Sequence, residues 1–445
     1  MKLPSPPTRV ALMLLAARLA CALAAAAEAP RPEPPPDLVI QAGSVLPLYG
    51  PAIKGGAIVI RGGKIVAVVP KGEAPAGVKV LDFPTGLALP GLIDCSSRLF
   101  VPPAEKGEDE RVAPHFDLTD GLDPYDRDRQ EVLAQGVTSV YVSPGSEGAL
   151  GGLTAVVKLN GAELRDQLVV KRRVAVKGSL GVSQDNISSS IQRLADYATI
   201  REELLAAQRY LDEYEGYQRE LRKYEKAAKK AQDAKKNAGA AKPNGEKKPE
   251  RPARPKRDPA KGALVQVLRG AVPLQLEAYR EDCVRNALRL QQEFGFKLIL
   301  EGATEAYRLV DEIAAAHAPV IVAPVVQSFR LFPQLDLRNH SLSNAAALSR
   351  AGIDVLVGTG GDTGRESQFL GVAIAQAIRG GLRRDAALRA VTVDAARVLG
   401  VEKRVGSFAP GCDADIVVFA SEPWAPDAAV QAVFIDGQLV YGGAQ

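Results

Sequence analysis

Histidine is scarce in this chain: 445 residues hold only His115, His317 and His340. Any site that needs four imidazole ligands is excluded by counting. Cysteine is scarce as well, and four in a chain of this length cannot form a disulfide scaffold. Beyond the N-terminal stretch no run reaches ~18 uninterrupted apolar residues, so no stable transmembrane anchor is expected. Hydrophobic residues at 46% and charged residues at 24% exclude collagen, a coiled-coil rod and full disorder. The length allows roughly two to three globular domains.

The net charge of +4 hides an uneven distribution. Residues 221–260 carry 14 Lys/Arg against 5 Asp/Glu, or +9, which leaves the remainder at −5. The basic balance therefore comes from one segment. No aromatic residue lies between Tyr224 and Tyr279 to stack on bases, so no nucleic-acid partner is expected.

The chain opens with Met1-Lys2 and Arg9, then an apolar stretch from Val10 to Ala27. This is the pattern of a signal peptide over 1–27, with cleavage after Ala25-Ala26-Ala27. Export to a periplasmic or extracellular compartment is the expectation. Cys21 offers a poorer lipoprotein alternative, because Arg18 stands where an aliphatic residue belongs. Residues 28–37 form a proline-rich spacer. Cleavage would leave Cys95, Cys283 and Cys412, an odd number.

Short β-rich runs separated by glycine turns mark 38–86, and the same style returns over 406–445. The two ends are expected to pair into one composite β-sandwich. Between them, over 87–405, buried-looking strands alternate with helical stretches. The clearest strands are Leu87–Asp94, Val137–Ser143, Leu274–Ala278, Lys297–Glu301, Pro319–Ala323 and Asp354–Gly358. Such alternation predicts an α/β fold with a parallel sheet, here a (β/α)8 TIM-like barrel. Apolar residues at three- and four-residue spacing predict a long amphipathic helix over 187–224, with five of the chain's eleven tyrosines. From 226 to 261 the sequence turns Lys/Ala/Pro-rich without periodicity, which predicts a disordered insertion.

Several segments carry a resemblance. They are Pro90-Gly91-Leu92-Ile93-Asp94, Gly136-Val137-Thr138-Ser139-Val140, Ser143-Pro144-Gly145-Ser146 with Gly151-Gly152, and Val156-Val157-Lys158-Leu159. Further along come Phe294-Gly295 to Leu300-Glu301, Thr304-Glu305-Ala306-Tyr307, and Gly406 to Asp415. In this order the chain resembles the amidohydrolase superfamily, in its imidazolonepropionase-like branch, over about 38–445. The resemblance implies hydrolysis of amide or cyclic-amide bonds with one or two divalent metals held by histidines and an aspartate at strand ends. The metal would lower the pKa of bound water and polarise the carbonyl.

The residues at those positions depart from the pattern. The His-x-His expected after Asp94 and Cys95 reads Ser96-Ser97-Arg98. The strand-five pair reads Glu277-Ala278-Tyr279, the strand-six histidine is Gly302, and the strand-eight aspartate is Gly360. No metal cofactor is therefore expected. The former ligand positions and their neighbours, Asp94, Ser96, Arg98, Glu277, Tyr279, Gly302, Gly360 and Asp362, define a candidate pocket. Arg98 either fills the metal's space and pairs with Glu277, or turns outward. Asp94, Glu277 and Asp362 could alternatively hold Mg²⁺ or Ca²⁺, with Glu301 facing away from the lumen. Cys95 reads as a buried inert thiol, and Gly145–Gly152 as a plain barrel loop. A surface or structural role is expected for all three histidines.

Three functions fit. The first is a metal-free binding protein or partner subunit of a homologous active enzyme, expected to form oligomers and to take a small-molecule ligand. The second is a divergent hydrolase of non-peptide C–N bonds. The third is an envelope protein that binds through its lysine-rich segment.

Overall fold

The computed structural model describes residues 36–102, 112–145, 148–181, 190–237, 250–322, 337, 339–360 and 363–443. The expected signal peptide, most of the proline-rich spacer and Asp362 lie outside the described residues. Among the described residues no helix is long and apolar enough to cross a membrane.

Four strands open the described chain: β1 (Leu38–Val45), β2 (Ile53–Arg61), β3 (Lys64–Pro70) and β4 (Lys79–Pro90). Eight follow: β5 (Leu92–Ser97), β6 (Val137–Val142), β7 (Leu150–Lys158), β8 (Val169–Ser179), β9 (Leu274–Ala278), β10 (Leu298–Gly302), β11 (Val320–Val322) and β12 (Val355–Val357). Three close it: β13 (Ile416–Phe419), β14 (Val430–Ile435) and β15 (Gln438–Gly442). The helices are α1 (Arg129–Leu133), α2 (Arg165–Leu168), α3 (Ser190–Asn237), α4 (Pro259–Leu268), α5 (Glu281–Phe294), α6 (Val310–Ala315), α7 (Asn344–Arg350), α8 (Leu370–Arg379), α9 (Arg384–Arg389) and α10 (Val393–Leu399).

The two chain ends do join, in one continuous seven-stranded sheet ordered β15-β14-β13-β4-β1-β2-β3. Ile40, Ile58, Phe83, Ile416 and Phe434 from five of these strands meet in a single core, so the sheet wraps around its own apolar face. The junction with the second sheet differs from expectation. Leu87–Asp94 is not one strand: it divides at Gly91, β4 belonging to the first sheet and β5 to the barrel. The backbone changes partner there: Gly91 N–H donates to Asp415 O (3.0 Å) and Leu92 N–H to Gly136 O (3.1 Å), with Thr138 so close that a Cβ at Gly91 would stand 1.9 Å from its Oγ1.

The second sheet runs β5 to β12 in sequence order and is nearly closed. Its gap is bridged rather than hydrogen-bonded strand to strand. Gly360 N–H donates to Ser96 O (2.9 Å), and lower down Ile93 N–H donates to Val391 O (2.8 Å) and Val357 N–H to Ala390 O (3.3 Å). Ile93, Tyr141, Val156, Ile299, Ile321 and Leu356, one from each of six strands, fill the lumen against Ala395, Ala396 and Leu399 of α10. Seven strands are parallel, but β7 pairs antiparallel with both β6 and β8. The connections around it are loops with one short helix, too brief for a crossover helix, so the chain must reverse there.

Because β7 runs backwards, its C-terminal residue Lys158 arrives at the floor of the barrel, beside the first sheet. There Lys158, buried, donates to Asp413 (2.7 Å), Asp415 (3.0 Å) and Asp436 (2.6 Å). Asp413 also pairs with Lys64 and with Arg404 (2.8 Å). The Gly406–Asp415 segment thus docks through charge.

The long helix is longer than expected. It continues through 226–237, and α4 already begins at Pro259, so the insertion is regular at both ends. Lysine and alanine are good helix formers without any apolar stripe. Absence of periodicity showed only that this part is unpacked.

Burial pushes the Asp415 carboxyl up from 3.8 to about 6; Lys158 opposes this and Asp436 adds to it. Asp413 moves the other way: burial works against it, but Lys158, Lys64 and Arg404 hold it below the usual range. A carboxyl raised in the folded state binds its proton more tightly there than in the unfolded chain. Its contribution therefore favours the folded state below the unfolded pKa and is lost as pH rises through about 6. Between pH 7 and pH 5 the protein should gain about 1 kcal/mol that Asp415→Asn lacks. Urea unfolding of both proteins at the two pH values checks this, and an identical pH response would refute it.

Candidate functional site

The C-terminal ends of the barrel strands bring together residues of both signs. β9 and β10 are in register so that Glu277 and Glu301 are direct partners, with Gln275 opposite Ile299. Two like charges side by side on parallel strands repel unless neutralised. The next strand supplies the neutralising group. Lys177 of β8, partnered with Gln275 in the ladder, reaches Glu277 Oε2 at 2.8 Å and also pairs with Glu301. All three side chains are buried. Burial alone would pull the Lys177 ammonium down, but Glu277 and Glu301 outweigh it, so its pKa lies above the ordinary lysine value.

Around this ion cluster the remaining partners are fixed. Ser96 Oγ donates to Glu301 Oε1 at 2.5 Å, and Gln275 Nε2 donates to Glu301 Oε2 at 2.5 Å. The Tyr141 hydroxyl, held 2.8 Å from Thr154 Oγ1, bonds to Gln275 Oε1. Burial raises the Tyr141 phenol far above its usual range, so it stays neutral. Tyr279 OH donates to Glu277 Oε1 at 2.9 Å. Its ring lies over Gly302, where a Cβ would come within 2.7 Å of Tyr279 Cε1; Gly302 itself has φ +79°. Thus Ser96, Glu277, Tyr279 and Gly302, four of the candidate positions, do converge.

Others separate from them. Asp94 is buried and accepts from Ser96 N (3.1 Å), Thr359 N (2.9 Å), Thr359 Oγ1 (2.6 Å) and Ser367 Oγ (2.7 Å). Burial raises its pKa, against these four donors. It ties β5 to the chain after β12, beside Gly360, and meets the ion cluster only through Ser96, whose N–H it accepts and whose hydroxyl serves Glu301. The carboxylate triad Asp94/Glu277/Asp362 is therefore not assembled among the described residues; Asp362 lies outside them. Among the described residues no group of three or more His, Cys, Asp or Glu is placed to hold a metal ion.

One expectation is corrected and one of two alternatives is excluded. Glu301 faces the lumen, because it alternates in step with Ile299 in β10. Arg98 does not pair with Glu277; its guanidinium lies against Gly145, whose Cβ would stand 3.1 Å from Nη1. Lysine, not arginine, supplies the cation. Lys177, Gln275 and Tyr141 were missed. The available signal was a single lysine inside the apolar run Val174-Ala175-Val176-Lys177, which has no reason to be there unless a buried partner waits.

The histidines stand apart from the cluster. His115 packs edge-on against Phe116 (4.8 Å), His317 is exposed ahead of β11, and His340 Nδ1 lies 2.8 Å from Leu337 O. Cys95 is buried in the apolar cluster of the lumen, and its thiol reaches Ile93 O (3.7 Å) and Ala390 O (3.8 Å). Burial, with Asp94 nearby, pushes its thiol well above the usual value, which fits an inert thiol.

The sequence profile described as the Amidohydrolase family matches residues 306–440. A search of the curated proteins finds no match. Among solved structures, an amidohydrolase from Thermotoga maritima MSB8 superposes with a TM-score of 0.74 at 25% identity, over 91% of this chain and 100% of that one. An adenosine deaminase from Xanthomonas campestris with bound zinc gives 0.52 at 18% identity, over 93% and 94%. A Xaa-Pro dipeptidase with bound methionine in its active site gives 0.55 at 16%, over 91% and 100%. The last two speak for the fold alone. With a nearly closed eight-stranded barrel, a sheet built from both chain ends and the C-terminal sequence match, the chain belongs to the amidohydrolase superfamily.

Proposed function

We propose that this chain is an exported amidohydrolase-fold protein that works without a metal, as a binding protein or as the partner subunit of an active relative. One observation carries the reading: the Lys177 ammonium lies between Glu277 and Glu301 at the ends of the barrel strands. A divalent cation there would have to displace a buried monovalent one from its own counter-ions. The donor set does not fit such a cation. Ser96 and Gln275 direct N–H and O–H groups at Glu301, and the Tyr279 ring covers Gly302. The mouth is instead a polar floor in which one ammonium is shared by two carboxylates, suited to holding a small polar ligand by hydrogen bonds. The apolar stretch at 10–27 supports export.

A second reading is a divergent hydrolase of amide or cyclic-amide C–N bonds. It is favoured by the Ser96 hydroxyl resting on the Glu301 carboxylate, a hydroxyl beside a base.

Protein purified without chelator should hold well below one equivalent of divalent metal, and its melting temperature should not move with EDTA. About one tightly bound equivalent, or a clear fall in melting temperature on chelation, would falsify the metal-free reading. Turnover of non-peptide linear or cyclic amides that disappears in Ser96→Ala would favour the hydrolase.

The ion cluster generates its own prediction. Lys177→Met leaves two buried carboxylates without a cation and should cost about 3–5 kcal/mol in chemical unfolding. Adding Glu301→Gln to Lys177→Met should recover part of that loss. A cost below about 1 kcal/mol for Lys177→Met would mean the cluster is solvated and neutralised in some other way.

A further inference from the structure

Helix α3 spans 48 residues, about 72 Å at 1.5 Å per residue. Its first half is anchored, with Ile200, Leu204 and Ala207 fully buried. Beyond Ala207 no described side chain of the helix is buried. The distal half nonetheless has two distinct faces. Tyr214, Tyr217, Leu221, Tyr224 and Ala228 are half-buried and recur at three- and four-residue spacing along one side. Arg219, Arg222, Lys223, Lys226, Lys229 and Lys230 are all exposed and recur in the same way. At 100° per residue these six fall within an arc of roughly 120°, opposite the tyrosine side. The stripe is roughly 16 Å long. Glu220, paired with Lys223 at 2.7 Å, and Glu225 lie outside the arc, while Asp212, Glu215 and Asp233 fall within its angle only beyond the two ends of the stripe. The chain returning from the insertion adds exposed Arg251, Arg254, Lys256 and Arg257.

We infer that this arm is a peripheral docking surface for an anionic phospholipid bilayer. Charge complementarity carries the choice: the 221–260 segment holds +9 while the rest of the chain is at −5, so attraction is confined to the arm. The cations lie on one face of a continuous helix, which suits a plane. Ten of the fourteen basic residues of the segment are lysine, a flexible point charge that requires no fixed fork geometry and suits a fluid layer of phosphate headgroups. The apolar stripe is turned to the opposite side, so the arm adsorbs by charge and does not insert. Nucleic acid is disfavoured because the basic face carries no aromatic residue on which bases could stack. This inference does not depend on what the barrel does.

The full-length protein is mixed with vesicles of equal parts phosphatidylcholine and phosphatidylglycerol, and with phosphatidylcholine alone, and cosedimentation is measured. Binding is expected to the anionic vesicles only, weakening at least about tenfold when salt rises above a few hundred millimolar. A variant with Arg222→Gln, Lys223→Gln, Lys226→Gln, Lys229→Gln and Lys230→Gln should lose at least about tenfold in affinity. Glutamine keeps the helix propensity, which circular dichroism verifies. A second variant, Arg251→Gln/Arg254→Gln/Lys256→Gln/Arg257→Gln, tests the returning chain and should weaken binding in the same direction. Arg383→Gln/Arg384→Gln, away from the arm, should bind as the parent does. Absence of binding, equal binding to neutral vesicles, or unchanged binding by both arm variants overturns the inference. So does tighter capture by a single-stranded oligonucleotide than by the anionic vesicles.

Discussion

One buried lysine holds the two halves of this protein together. Lys158 is set among Asp413, Asp415 and Asp436, and these aspartates lie in the C-terminal segment that completes the first sheet. An ammonium removed from water requires compensation from every side, and it obtains it only if β13, β14 and the preceding turn take their places. The reversed direction of β7 is what carries Lys158 to that side of the barrel. Chain direction, charge and domain joining are therefore one constraint. The main-chain bond from Gly91 N–H to Asp415 O (3.0 Å) draws the same segment against the start of β5.

The opposite face of the barrel applies similar chemistry to a different end. Ladder register places Glu277 beside Glu301, and the fold answers with Lys177 instead of separating them. Each charged group there is buried and held by neutral partners as well, so the cluster is rigid and specific. Asp94 is held just as firmly, yet three of its four donors, from Thr359 and Ser367, serve to close the sheet between β5 and the chain after β12. Two carboxylates near one another in the sequence pattern thus have different duties.

The fold was largely legible because its signals are local and repeated. The alternation of apolar runs with helical stretches, and the β-rich ends, gave the barrel and the joined sheet. What failed depends on direction and on partners. β7 and β8 mix glycine, arginine and lysine among apolar residues, so neither read as a barrel strand, and nothing local states that one of them runs backwards. Leu87–Asp94 reads as one continuous strand, and only the change of main-chain partner at Gly91, from Asp415 to Gly136 at Leu92, divides it. At the site, Glu277 and Ser96 were found because a motif pointed at them. Lys177 and Gln275 were not, since a buried polar residue on a strand means nothing until its partners across the sheet are known. The helix from 226 to 237 was missed for the converse reason: helical propensity needs no apolar stripe.

The packing of Tyr279 over Gly302 has a consequence for the protein's neighbours in sequence space. Glycine at 302 combines a left-handed backbone, φ +79°, with a ring 2.7 Å from where its Cβ would be. No side chain fits at 302 while Tyr279 stands in its present rotamer. An imidazole at that position is therefore not one substitution away, whatever benefit it would bring. Position 279 must change first, and that change releases the hydroxyl bonded to Glu277 and loosens the ion cluster. Each step alone weakens the molecule, so histidine at 302 lies across a valley that single substitutions do not readily cross.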